Sequence, residues 1–150
     1  MARDYSRKAY TMQETITALL VHDRPEPMGS IKQALESQEI KTQSVSTCRE
    51  AHERLGGRQT PHLVLVDPRL PDGSWADVVI SAGAAPSHAN VIVVSDVVDM
   101  PLYLESVQRG AFDFIVPPMS IPDFNYVVRS AVDNALQRRG SALQTPAARS

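Results

Sequence analysis

Four segments of this 150-residue chain end a short apolar run on residues able to do chemistry. Leu19-Leu20-Val21 leads into His22-Asp23, and Leu63-Val64-Leu65-Val66 leads into Asp67. Val91-Ile92-Val93-Val94 leads into Ser95-Asp96, and Phe112 to Val116 leads into Pro117-Pro118. Two carboxylates, Asp23 and Asp67, would suit a hard, oxygen-seeking cation such as Mg²⁺, completed by a backbone carbonyl and water. Such an ion would favour an anionic phosphoryl donor beside it. Each Asp alone is explained equally well as a turn former after a buried strand. Together with Ser95 they favour a site.

The elements that would bring these residues together are legible in the pattern. The run His62 to Asp67 is too short for a globular helix and fits a strand buried on both faces. Pro68, Pro71 and Gly73 turn the chain out of the sheet after it. Thr15–Val21, Ile40–Val45, Asn90–Ser95 and Phe112–Val116 read as four further strands, the second polar enough for an edge. Between them, apolar residues at helical spacing predict helices from Met28 to about Ser37, from Ser46 or Thr47 to about Arg54, and from the Ser74 cap through Ala82. A fourth helix begins near Pro101 and stops at Gly110. A fifth, over Ile121–Leu136, carries Phe124, Val127, Val128, Ala131 and Leu136 on its inner stripe. Five strands alternating with five helices require right-handed crossovers and a mostly parallel sheet covered on both faces. The carboxyl ends of such strands converge on one crevice.

Composition narrows the function classes. A net charge of -2 with 21% charged residues gives no bulk attraction to nucleic acid or membrane. No apolar run is long enough to span a bilayer, and no apolar segment follows Arg3, Arg7 and Lys8 as a secretion signal would need. Cys48, the only cysteine, excludes an intramolecular disulfide and a thiolate metal cluster, and cytoplasmic localisation is expected. It is expected to be packed rather than reactive. His88 is read as a surface loop residue, and Asp72 as a member of a Pro-Asp-Gly turn. No strand-to-helix turn carries a glycine-rich nucleotide loop. Residues 1–12 are expected to be a flexible tail, 13–138 the domain, and 139–150 a disordered tail.

The phrases Leu-Val-Leu-Val-Asp-Pro-Arg-Leu-Pro-Asp-Gly and Gly-Ala-Phe-Asp-Phe-Ile-Val, with the spacing between Asp23 and Asp67, add a family likeness. From about Thr15 to Gln137 the chain resembles the receiver domain of bacterial two-component response regulators. The resemblance implies a flavodoxin-like (βα)₅ three-layer sandwich with a parallel five-stranded sheet of order 2-1-3-4-5. It implies that Asp67 receives a phosphoryl group from a sensor histidine kinase or phosphotransfer protein. It implies Mg²⁺ held by Asp23, Asp67 and the backbone carbonyl of Arg69, Ser95 as the switch hydroxyl, and Phe114 at the position of a switch aromatic. A cis Pro117-Pro118 bond is also expected, since X-Pro bonds reach that state cheaply.

Two departures qualify the resemblance. His22 stands where the family usually has a first acidic residue, which weakens Mg²⁺ binding; the imidazole is expected to fill the crevice wall. Pro117 stands where the family has a lysine whose ammonium reaches the phosphoryl group, and proline has neither charge nor side-chain donor. Between Gly110 and Tyr126 there is no Lys or Arg, so Arg24 or Arg69 would have to bend in from another loop. Two functions therefore stay open: a receiver in phosphorelay signalling with impaired transfer to Asp67, or a degenerate pseudo-receiver acting as a phosphorylation-independent interaction module. At most the chemistry is self-catalysed phosphoryl transfer. Expected partners are the kinase, a downstream protein target and a second copy, through the fourth helix, fifth strand and fifth helix, where Tyr103, Phe114, Phe124 and Tyr126 lie. Direct nucleic-acid and membrane contacts are not expected.

Overall fold

The structure, a computed structural model, describes residues 15–149, with side chains through residue 140. The tail expected over residues 1–12 lies outside the described residues. Five strands, β1 (Thr17–Val21), β2 (Lys41–Val45), β3 (Leu63–Val66), β4 (Asn90–Val94) and β5 (Asp113–Ile115), form one sheet. Its order is β2-β1-β3-β4-β5, and every pair is parallel. The helices are α1 (Met28–Glu36), α2 (Cys48–Leu55), α3 (Trp75–Gly83), α4 (Met100–Gln108) and α5 (Ile121–Arg149). The expected three-layer sandwich is therefore present.

Alternation along the strands divides the core in two. Ala18 and Leu20 of β1, Leu63 and Leu65 of β3, and Ile92 of β4 pack with Met28, Ile31 and Leu35 of α1 and Phe124, Val128 and Ala131 of α5. On the other face Leu19, Val21, Val64, Val66 and Val93 pack with Ala51 and Leu55 of α2 and Trp75 and Val78 of α3. Each fully buried aliphatic side chain contributes on the order of 1.5–3 kcal/mol. Strands buried on both faces explain the unbroken apolar runs. Edge strand β2 keeps three of its five residues exposed.

The caps fit local chemistry. The Thr47 hydroxyl accepts from the Glu50 N–H, and Ser74 with Asp77 forms a reciprocal capping box. Asp99 caps α4, with Pro101 in its first turn. Gly110 ends that segment at φ +106°, a conformation that favours glycine. The Pro117-Pro118 bond is cis, and so is Glu26-Pro27.

Four features differ from expectation. After β3 the chain forms a small antiparallel hairpin, Arg69–Leu70 against Gly73–Ser74, rather than a plain turn. Phe124 is 6% exposed and belongs to the core, so it is no part of an exposed partner face. The last helix does not end near Leu136 but runs to Arg149. The disordered stretch expected from 139 is thus corrected for its first residue: Arg139 Nε donates to the His88 carbonyl at 2.9 Å. Its Nη2 donates to the carbonyls of Thr60 (2.9 Å) and Pro61 (3.0 Å). These carbonyls lie outside the sheet ladder, and a guanidinium with several donors can serve all three. His88, read as a plain surface residue, is half-buried, with Nε2 2.8 Å from Asn90 Oδ1.

Candidate functional site at the carboxyl ends of the strands

Asp67 immediately follows β3, between the ends of β1 and β4, and its backbone N–H donates to the Val21 carbonyl at 3.0 Å. The residue is 2% exposed. Its Oδ1 is buried without a hydrogen-bond partner among the described residues. A buried, unsatisfied carboxylate oxygen is costly and calls for a physical reason. Burial pushes the Asp67 carboxyl above the usual carboxylate range; the positive charge of Arg24, then the neighbouring His22 ring, acts in the opposite direction.

Arg24 reaches this carboxylate from the β1–α1 loop. Its Nε lies 3.7 Å from Asp67 Oδ2, and its Nη1 donates to Asp96 Oδ2 at 3.0 Å. Asp96, from the loop after β4, is held below the usual carboxylate range by that hydrogen bond. Of the two arginines considered from sequence, Arg24 is the one beside Asp67, while Arg69 is an exposed residue of the hairpin.

The other expected site residues take defined places. Asp23 is exposed at the end of β1. The His22 ring is engaged locally: Nδ1 faces the Arg24 carbonyl and Nε2 lies 3.4 Å from Ser44 Oγ on the edge strand. Ser95 is 2% exposed. Its hydroxyl donates to the Val97 carbonyl at 2.8 Å and accepts from the Val97 N–H, so it closes a turn of its own loop. Phe114 is half-buried on β5, edge-on to Tyr103 of α4 with ring centroids 5.8 Å apart. Pro117 stands on the wall of an open pocket of about 760 Å³ between α1 and the start of α5, which Arg24, Asp96, Ile31 and Phe124 also line.

Sequence reasoning missed what fixes the loop carrying Asp67. Asp72 is more than a turn former: its carboxylate accepts from the backbone N–H groups of Cys48 (2.7 Å) and Arg49 (3.0 Å) at the start of α2. These bonds hold the Asp72 carboxyl below its ordinary range. The Cys48 thiol lies 3.6 Å from the Ser74 carbonyl, and burial first, then the Asp72 charge, pushes it up to about 11. A Cβ at Gly73 would press on the Asp77 carboxylate and the Cys48 sulfur, and one or both side chains would have to shift to admit it. Asp72 is 24 residues from Cys48, and nothing local in the sequence announces the contact.

Fold and crevice together define a class, the response regulator receiver domains. The chain belongs to this family, whose model matches residues 18–141. Two-component, phosphorelay signalling is the function class that this family defines. It is 29% identical over 115 residues to the response regulator protein PilR of Pseudomonas aeruginosa, a match covering 77% of this chain and 26% of the relative. It is 26% identical over 116 residues to the regulatory protein LuxO of Vibrio cholerae, covering 77% and 25%. The chain thus spans about a quarter of the length of these curated relatives. Among solved structures, the signal receiver domain of a LuxO repressor protein from Vibrio parahaemolyticus superposes with a TM-score of 0.71 at 26% identity, covering 82% of this chain and 94% of that one. The receiver domain of sensor histidine kinase PA1611 from Pseudomonas aeruginosa, solved with a magnesium ion coordinated in its active-site cleft, gives 0.69 at 19% identity, covering 79% and 98%. Among the described residues no helix is long and apolar enough to cross a membrane.

Proposed function

We propose that this chain is an atypical phosphorelay receiver whose acceptor is Asp67, with transfer slowed by His22 and Pro117 standing in place of a carboxylate and a lysine. The observation that carries this reading is the buried Asp67 carboxylate at the end of the central strand, one oxygen unpartnered and the other beside a cation. In the transfer an Asp67 oxygen attacks phosphorus, the P–N bond of a donor phosphohistidine breaks, and its electron pair returns to the imidazole. Asp67 must be ionised to attack, and Arg24 favours that form against burial.

The residues present fit a weakly held Mg²⁺. The unpartnered Asp67 oxygen is a hard donor, and Asp23 and the Arg69 carbonyl are the remaining protein ligands implied by the family. No group of three or more His, Cys, Asp or Glu comes together as a metal site among the described residues. The ion, when bound, neutralises phosphoryl charge. Ser95 would have to leave its Val97 turn to reach a phosphoryl oxygen, which would draw on the loop after β4.

A second reading, the phosphorylation-independent interaction module, draws on a different surface. Val97, Val98, Met100, Tyr103, Leu104 and Val107 are all exposed, the first two before α4 and the rest on it. Such an apolar patch marks a partner site. It suits the downstream target or a second copy of this chain.

Intact-mass measurement after incubation with acetyl phosphate and Mg²⁺ separates the readings. A phosphoryl adduct on the native chain, absent from Asp67→Asn, supports the acceptor. No adduct on a folded sample, with a cognate kinase or phosphotransfer protein equally unable to label it, overturns the acceptor and leaves the interaction module.

A further inference from the structure

We propose that Arg24 is the cation that binds the phosphoryl oxygens at Asp67, held in position by Asp96, in place of the ammonium that Pro117 cannot supply; this rests on Asp67 being the acceptor. Three observations converge on it. The Arg24 guanidinium already lies against the acceptor, 3.7 Å from Oδ2. That distance is beyond a hydrogen bond, so its donors are not consumed by Asp67 and remain close enough to meet a group added there. The 3.0 Å bond from Nη1 to Asp96 fixes the side chain from a second loop.

Pro117, Arg24 and Asp96 line the same pocket, so the position that lacks the ammonium neighbours the guanidinium and its holder. A planar guanidinium offers several donors in a fork that matches phosphoryl oxygens. In the step itself Arg24 neither gains nor loses a proton. With acetyl phosphate as donor, the bond from Asp67 to phosphorus forms, the bond from phosphorus to the acetyl oxygen breaks, and acetate leaves with the electron pair. Arg24 opposes the charge on the three non-bridging oxygens. Asp96 is a positioning residue.

A two-residue cycle tests this, with Mg²⁺ present throughout. Beryllium fluoride binding, followed by ¹⁹F NMR, reports the acyl-phosphate mimic, and the initial rate of acetyl phosphate labelling reports the transfer. Arg24→Gln, at a half-exposed side chain, should fold and should weaken both readouts about ten- to a hundredfold, the worth of a charge-assisted hydrogen bond. Pro117→Lys has open space to enter and should restore most of that loss in the Arg24→Gln background, with a clearly smaller gain in the native chain, where Arg24 already supplies part of the missing charge. Asp96→Asn should give a smaller loss that the same Pro117→Lys change repairs. Arg24→Gln matching the native chain, or Pro117→Lys gaining equally with and without Arg24, overturns the role of Arg24 and leaves Asp67 as acceptor. No adduct of either kind on any variant overturns the acceptor reading and this inference with it.

Discussion

Replacing Asp67 by asparagine should make the protein more stable. The native carboxylate is 3% exposed at its side chain, one oxygen has no partner among the described residues, and the nearest cation is half-exposed at 3.7 Å. A buried polar oxygen left unsatisfied costs about 1–3 kcal/mol. A pair with so exposed an arginine returns no more than about 1 kcal/mol. Asparagine still leaves a polar atom at the unpartnered position but removes the charge, whose burial costs more than that of a neutral group, so the net gain should be about 1–2 kcal/mol near pH 7. That corresponds to roughly 2–8 °C in the melting temperature for a chain of this size. The pH dependence follows from linkage. Burial raises the native carboxyl above its unfolded value, so between the two values the folded chain holds a proton that the unfolded chain has lost. Native stability from this group is therefore fully present below the unfolded value and falls as pH rises through that window. The advantage of Asp67→Asn should be largest near neutrality and vanish below the ordinary carboxylate range. Thermal melts of both proteins across this range would show it. An asparagine variant that melts at or below the native chain at pH 7, or a difference independent of pH, refutes the reasoning.

Arg139→Ala removes a guanidinium from three backbone carbonyls and should cost about 1–3 kcal/mol in urea unfolding. Asp72→Asn should flatten the acid limb of the stability curve. The depressed native carboxyl contributes stability above the ordinary carboxylate range that is lost as pH falls through it, and melts at stepped pH would record the change. The Cys48 thiol, pushed up to about 11, should alkylate slowly with iodoacetamide at pH 8, and faster in Asp72→Asn, where the neighbouring charge is gone. We expect the native chain to self-associate through the exposed face of α4 in analytical ultracentrifugation, and Leu104→Glu, at a side chain already exposed, to abolish this while leaving folding stability within about 0.5 kcal/mol.

The strand ends were legible because burial on both faces leaves an unbroken apolar run, and the first polar residue after it must sit at the sheet edge. Asp67 and Ser95 were located that way. Family likeness added the strand order, which local pattern alone does not contain. Arg24 was legible only as a candidate: a long side chain in a loop has no periodicity, and its direction is set by Asp96, 72 residues away. The Asp72 cap was hidden for the same reason. The extent of α5 was misread because polar composition after Leu136 lacks an apolar stripe, whereas the observed anchor at Arg139 is polar. Phe124 illustrates the reverse: its helical spacing already placed it inside, and only family geography suggested a surface.

The five helices are not equally stiff in their seating. Helix α5 is gripped twice, by Phe124 and Val128 against the sheet and by Arg139 at the opposite rim. Helix α4 has one fully buried residue, Ser106, whose hydroxyl is occupied by the Tyr103 carbonyl of its own helix. It floats on Leu102 and on the edge contact between Tyr103 and Phe114. A push delivered at the crevice therefore meets least resistance on one side, where Ser95 and Val97 hinge the loop that feeds α4. The molecule is built like a rigid frame with one compliant panel, and that panel carries its most apolar exposed surface.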